Sequence, residues 1–318
     1  MKLPFPGRLL ALAVISSLSL AMPLSAAHAE DTPKVALVMK SLANEFFRTM
    51  EDGAKDYQKA NPNDFELIAN GIKNETDTGE QIRIVEQMVN SGAKALVIAP
   101  ADSKALVSAV KKAMDQGVIV INIDNRLDPE LLKSKGINVP FVGPDNRKGA
   151  RLVGEYLAKE KLKAGDQVGI IEGVPTTTNA QQRTAGFKDA MDAAQMKIVS
   201  VQSGNWEIDK GNAVAASMLN EYPDLKALLA GNDSMALGAV SAVRAAGKAG
   251  QVQVVGYDNI NAIKPMLDDG RVLATLDQAA SQQAVFGIQA ALKMLKGEQP
   301  GVDADNVIQT PVKLITKP

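Results

Sequence analysis

"GEQIRIVEQMVNSGAKALVIAPADSKALVSAVKKAMDQGVIVINIDN" occupies residues 79–125, and its reading decides the fold. Ile82, Val85, Met88 and Val89 fall on one stripe of a helical period, and Leu106, Ala109, Val110 and Ala113 repeat the pattern. Between and after these stripes stand "ALVIA" (95–99) and "VIVINI" (118–123), short continuous apolar runs rich in β-branched residues. Strands that are apolar on both faces belong to parallel sheets covered by helices on two sides. Strand–helix alternation builds such sheets from βαβ units.

The same alternation extends in both directions. Upstream lie the strand candidates "KVALVM" (34–39) and "FELIA" (65–69). Downstream are "VPFVG" (139–143), "QVGII" (167–171), "MKIVSV" (196–201), "LKALLA" (225–230), "VQVVGY" (252–257) and "VLATL" (272–276). About four units precede residue 138 and about four follow 145, enough for two doubly wound sheets. The segment between them, "LDPELLKSKGINVPFVGPDNRKG" (127–149), is rich in Pro, Gly and charge, which puts a domain crossing near Pro144–Asp145.

The first 29 residues read as a secretory signal peptide. Lys2 and Arg8 precede the apolar "LLALAVISSLSLAM" (9–22), and "AHA" (27–29) is a small-x-small cleavage site. No cysteine follows for lipid attachment, and no later run is long and apolar enough to span a membrane. The expectation is a soluble periplasmic protein without a lipid anchor. His28, the single histidine, lies within the signal, and the chain has no Cys. The mature part therefore cannot use a thiol nucleophile, a His-based triad, a Cys/His zinc site or a disulfide. A formal net charge of −1 gives no reason to expect nucleic acid.

Ligands of open α/β sheets bind beyond the carboxyl ends of strands. After the first strand come Lys40, Asn44, Phe46 and Phe47; adjacent helical residues point about 100° apart, so both rings cannot serve one core. Other strand ends lead to Asp102, to Asp124, Asn125 and Arg126, to Arg183, and to Trp206, the one Trp. The last of them lead to Asn232 and Asp233, Asp258 and Gln278. Asp102 and Asn232 also suit helix N-caps. Carboxylates, amides and an Arg meet sugar hydroxyls, while the apolar C–H face of a sugar ring lies flat on an aromatic ring. No dinucleotide fingerprint, P-loop, nucleophile elbow or calcium loop is present, so no cofactor, metal or catalytic set is expected. Carboxylates alone leave a carbohydrate-active enzyme open as a weaker reading.

"NEFF" (44–47), "GAKALVIAPADS" (92–103), "VINIDN" (120–125), "QQRTAGF" (181–187), "LLAGNDSMALGA" (228–239), "VVGYDN" (254–259) and "GRVLATLDQ" (270–278) occur in one order and spacing. In this the chain, over residues 33–318, resembles the periplasmic sugar-binding proteins of ABC importers, particularly the ribose-binding group. The resemblance implies two doubly wound, Rossmann-like α/β lobes joined by a three-stranded hinge, with the ligand in the inter-lobe cleft. It places one lobe at 30–144 plus 279–308 and the other at 145–278 plus 309–318. It implies that Phe46 and Phe47 form one side of an aromatic sandwich and Trp206 the other. Asn44, Asp124, Arg183, Asn232, Asp258 and Gln278 take the hydroxyl-binding positions. Lys40 stands where a small hydroxyl residue is usual, Asn125 where the ribose proteins have Arg, and Ala99 where they have Asn; Lys40 and Asn125 are kept as ligand candidates. The implied ligand is a monosaccharide or sugar alcohol: a ribose-like pentose, a ketose or a polyol. The implied partner is a membrane permease, with a chemoreceptor or sensor kinase as the alternative. Repressors sharing this fold carry a DNA-binding segment where this chain has its signal, so no nucleic acid is expected.

Overall fold

The computed structural model describes residues 32–317 together with Met1, so the signal segment lies outside the described residues. In the first half, strands β1 (Lys34–Ser41), β2 (Glu66–Ile72), β3 (Ala95–Ile98), β4 (Ile119–Ile123) and β5 (Phe141–Gly143) alternate with α1 (Glu45–Ala60), α2 (Thr78–Asn90), α3 (Val107–Asp115) and α4 (Pro129–Ser134). The second half repeats the plan. It contains α5 (Asn146–Lys161), β6 (Gln167–Glu172), α6 (Thr178–Ala193), β7 (Lys197–Ser203), α7 (Ile208–Glu221), β8 (Leu225–Ala230), α8 (Asp233–Ala245) and β9 (Gln253–Val255). A 3-10 turn at Asn261–Ile263 leads into α9 (Lys264–Asp268) and β10 (Ala274–Asp277). The chain ends with α10 (Ala280–Leu295), β11 (Val307–Gln309) and β12 (Lys313–Thr316).

The strands form two six-stranded sheets, ordered β11-β5-β4-β3-β1-β2 and β12-β10-β9-β8-β6-β7. Apart from their last strands, both follow the doubly wound 2-1-3-4-5 order. Each sheet therefore has one switch point, between β1 and β3 in the first and between β6 and β8 in the second. The pairings are parallel except β10 with β12. The central strands are apolar because both faces are covered: β1 from Val35 to Met39 and β8 from Ala227 to Ala230 are fully buried, whereas the edge strands β2 and β7 carry polar, partly exposed residues.

Helix α10 follows β10 of the second sheet yet packs on α1, β3 and β4 of the first. The chain accordingly passes between lobes three times: after β5, after β10, and between β11 and β12. Strands β11 and β12, three and four residues long, were not among the sequence candidates.

Candidate functional site

The two switch points face each other across a shut cleft. Its small cavity is lined by Lys40, Asn44, Phe46, Phe47, Glu75 and Asp124 from the first lobe, and by Asn179, Arg183, Trp206, Asn232, Asp258 and Gln278 from the second lobe and the hinge. Ten of the eleven ligand candidates line it, so strand-end position and the family resemblance converge on one place. Asn125 does not. It is fully buried beside the cleft, donating through Nδ2 to the Pro100 carbonyl and accepting through Oδ1 from Ser103 and from the Asn179 N–H. Its neighbour Arg126 turns away, donating to the Asp305 carbonyl.

Local geometry explains why these side chains enter the cleft. In the β1–β2 ladder Met39 pairs with Gly71 and Ser41 with Ile72, which leaves Lys40 as an unpaired extra residue. Such a bulge re-aims a side chain. A Cβ on Gly71 would come within 2.6 Å of the Lys40 carbonyl, so glycine permits the close approach. Gln81 fixes the same switch point, donating to the carbonyls of Met39 and Ala99 and accepting from the Ala101 N–H. Asp124 (φ 61°), Trp206 (φ 68°) and Asp258 (φ 126°) sit in the left-handed region, which costs of order 1–3 kcal/mol each. Three strained residues around one cavity mark a place where side-chain direction outweighs backbone comfort.

The aromatic walls differ from a simple clamp. Phe46 and Phe47 are both buried and meet edge to face with centroids 5.1 Å apart. Trp206 lies opposite, its ring carbons against Gly173, where a Cβ would stand 2.0 Å from them. The Lys40 ammonium sits 5.2 Å from the Trp206 ring and 5.5 Å from the Phe47 ring, a cation held between two π faces from different lobes.

The polar groups are partly committed to one another. Asn44 caps α1 by accepting from the Phe46 N–H and donates to Glu75 Oε1. Asn232 caps α8 by accepting from the Met235 N–H and donates to the Trp206 carbonyl. Capping and cavity lining coexist in both residues, since an amide also carries two donors. Arg183 is the hub: its guanidinium donates to Asn146, the Gly231 carbonyl, Asp258 and Gln278, and stacks on Tyr257 at 3.8 Å. Gln278 Nε2 donates to Asp258 Oδ1 at 2.6 Å.

What is left unsatisfied points at a ligand. Asp124 Oδ2 and Trp206 Nε1 are buried without a hydrogen-bond partner among the described residues, and buried Glu75 Oε2 has only the Lys40 ammonium, 3.2 Å away. A buried polar atom without a partner carries a desolvation penalty of about 1–3 kcal/mol. Burial pushes the carboxyls of Glu75 and Asp124 above their usual range, with Lys40 opposing the shift in each. Asp258 is pushed well up by burial, with Arg183 opposing. One empty acceptor, a second held only by Lys40, and one empty donor around aromatic rings ask for a small neutral molecule bearing several hydroxyls.

Glu75 and Asn179 were missed by the sequence survey. Strand β2 runs to Ile72 rather than ending at 69, and Glu75 stands three residues beyond it, so the strand-end rule would have found Glu75 had that strand end been drawn correctly. Asn179 carries no such signal; it enters from the first turn of α6.

The sequence profile of the periplasmic binding protein domain matches residues 35–299. This chain belongs to that family. A D-ribose/D-allose-binding protein of Pseudomonas aeruginosa is 74% identical over 313 residues, 98% of each chain. An ABC transporter solute-binding protein of Burkholderia multivorans, with an unknown ligand drawn as α-D-erythrofuranose, superposes with a TM-score of 0.86 at 73% identity, covering 90% of this chain and 99% of that one. One from Actinobacillus succinogenes with bound D-allose gives 0.83 at 34% identity, covering 90% and 98%.

Proposed function

We propose that the cleft captures one cyclic aldose, D-ribose or D-allose, and that the 1–29 signal directs the chain to the periplasm. The protein is a sugar solute-binding protein of an ABC import system, delivering its ligand to a membrane permease. Its family comprises substrate-binding proteins of the periplasm rather than a class of enzymes. The observation that carries the ligand reading is the set of empty buried polar atoms facing a shut cavity walled by Phe46, Phe47 and Trp206.

The proposed roles follow from what each group has free. The three rings hold the C–H faces of the sugar. Asp124 Oδ2 accepts a hydroxyl, Glu75 Oε2 accepts one beside its contact with Lys40, and Asp258 shares its carboxylate between Arg183, Gln278 and the ligand. Asn44, Asn232 and Arg183 donate the N–H groups that capping and the hub leave over. Lobes at 30–144 plus 279–308 and at 145–278 plus 309–318 would swing about the three crossings. The sugar selects the closed arrangement because only there do both sets of polar groups reach it.

Calorimetry with D-ribose, D-allose, myo-inositol and D-tagatose tests the ligand. Binding of D-ribose or D-allose at micromolar Kd or tighter, about −8 kcal/mol, is expected. Binding of only the polyol or the ketose would overturn the aldose reading.

A further inference from the structure

Helix α6 carries two cavity residues, Asn179 and Arg183, yet its own N-cap residue does not cap it: the Thr177 hydroxyl donates back to the Val174 carbonyl. A helix begins with backbone N–H groups that have no intrahelical partner, and each needs an acceptor when buried. Here the opposite lobe supplies two of them. The Thr178 N–H donates to Ser103 Oγ at 2.9 Å, and the Asn179 N–H to Asn125 Oδ1 at 3.3 Å. The Ala180 N–H finds Asn179 Oδ1. The Thr178 hydroxyl adds a bond to the Arg126 carbonyl and lies 3.0 Å from the Ser103 hydroxyl. Ser103, Asn125 and Asn179 are almost fully buried.

The pattern recurs elsewhere on the cleft rim. The Glu45 carboxylate, from the first turn of α1, accepts from the backbone N–H groups of Asn261 and Ala262 at 2.8 and 3.2 Å, where the 3-10 turn of the second lobe begins. Ser103, Asn125 and Glu45 are absent from the cavity lining, so none of them gains its bond from the ligand.

We propose that Ser103 and Asn125 act as a trans-lobe cap for α6, seconded by Glu45 at the other rim, and that this cap sets ligand affinity from outside the ligand's reach. The bonds exist only when the lobes meet, so they favour the closed form that the sugar also selects, and the two effects multiply in the observed affinity. The cap also seats the helix turn that brings Asn179 and Arg183 to the cavity. Asn125, standing where the resembling ribose proteins place a ligand-reading Arg, is on this reading a positioning residue.

The inference rests on sugar capture by closure, and its test separates the two. Wild type, Ser103→Ala, Thr178→Val and the double variant are titrated with whichever sugar of the panel wild type binds, so a wrong choice of sugar does not count against the cap. Each is also melted without sugar. Losing the Ser103 acceptor is expected to weaken binding roughly 3- to 30-fold, and losing the Thr178 hydroxyl, which bonds the Arg126 carbonyl across the cleft, by a comparable or smaller factor. The double variant should lose less than the product of the single losses, because the two residues share contacts. The sugar-free melting temperatures should match wild type. Unchanged affinity in Ser103→Ala, or losses that simply multiply, would overturn the proposal. So would a fall in sugar-free stability as large as the fall in affinity, which would make these contacts part of the lobe fold rather than of closure.

Discussion

Lys40 Nζ lies 3.2 Å from Glu75 Oε2 in the cavity wall, and both side chains are 3% exposed. Burying an ion pair recovers its desolvation cost only when each charge keeps a partner, and removing one partner alone costs about 3–5 kcal/mol. In this protein the burial comes with closure, so the penalty falls on binding. Lys40→Met is expected to weaken sugar binding by about 10²-fold or more while leaving the sugar-free melting temperature near wild type. Lys40→Met combined with Glu75→Gln should recover part of the loss, since no lone charge is then enclosed. Calorimetry on the three proteins checks this; a double variant weaker than Lys40→Met would show that the pair acts through direct ligand contacts alone.

Gly173 and Trp206 give a second prediction. A methyl group on residue 173 has no room beside the indole, whose ring carbons would lie 2.0 Å away. Gly173→Ala should displace Trp206 from the cavity wall, weaken binding roughly 10- to 100-fold, and leave the fold intact. Trp206 is the one Trp of the chain, so its fluorescence reports the event directly. The wild-type emission should shift on sugar addition, and the variant's sugar-free emission should already differ from wild type.

How far the site could be read in the sequence depends on what each residue does. Residues whose position follows from the end of a long apolar strand were legible: Lys40, Asp124, Asn232 and Asp258 stand within two residues of runs that can only be buried parallel strands. Both Phe rings followed from the helical geometry by which adjacent residues cannot share one core, and the family resemblance supplied the partner wall at Trp206. Asn125 illustrates the limit. Its position at a strand end is the same as that of Asp124, but Asp124 adopts a left-handed backbone and faces the cavity while Asn125 turns to Ser103 and the other lobe. Strand-end position fixes a neighbourhood, and one backbone angle decides which of two adjacent side chains faces the cavity. Strands β11 and β12 escaped because their identity comes from the sheets they join rather than from any pattern of their own.

Asp233 gives a pH prediction. It is fully buried, accepting from the Thr275 hydroxyl at 2.7 Å and from the Ile260 N–H at 3.0 Å, and it fixes the loop that carries Asp258. Burial pushes its carboxyl up to about 6 from the usual 3.8. The folded protein thus holds this proton more tightly than the unfolded chain. The resulting stabilisation is fully present below pH 4 and lost as pH rises through 6, a contribution on the order of 3 kcal/mol. Asp233→Asn keeps the hydrogen-bonding shape without the ionisation. Urea unfolding between pH 4 and 7 should show the variant losing less stability across this window than wild type; parallel curves would mean that Asp233 is ionised throughout.

Arg183 makes the sharpest demand on side-chain identity. Its guanidinium reaches four acceptors on different elements, Asn146 Oδ1 at 2.8 Å, the Gly231 carbonyl at 3.0 Å, Gln278 Oε1 at 3.2 Å and Asp258 Oδ1 at 3.5 Å, while its plane stacks on Tyr257. Lysine keeps the charge but offers three donors from one point and no planar face. It can balance Asp258 but cannot hold Asn146 and Gln278 together. Arg183→Lys should therefore bind sugar at least 10²-fold more weakly, with the remaining affinity independent of whether Gln278 is also changed to Ala. In wild type, Gln278→Ala alone should cost about 10-fold or more. Titration of the two single variants and the double variant reads the coupling. If Gln278→Ala costs as much in the Arg183→Lys background as in wild type, Arg183 and Gln278 act on the ligand separately, and the hub is a coincidence of packing.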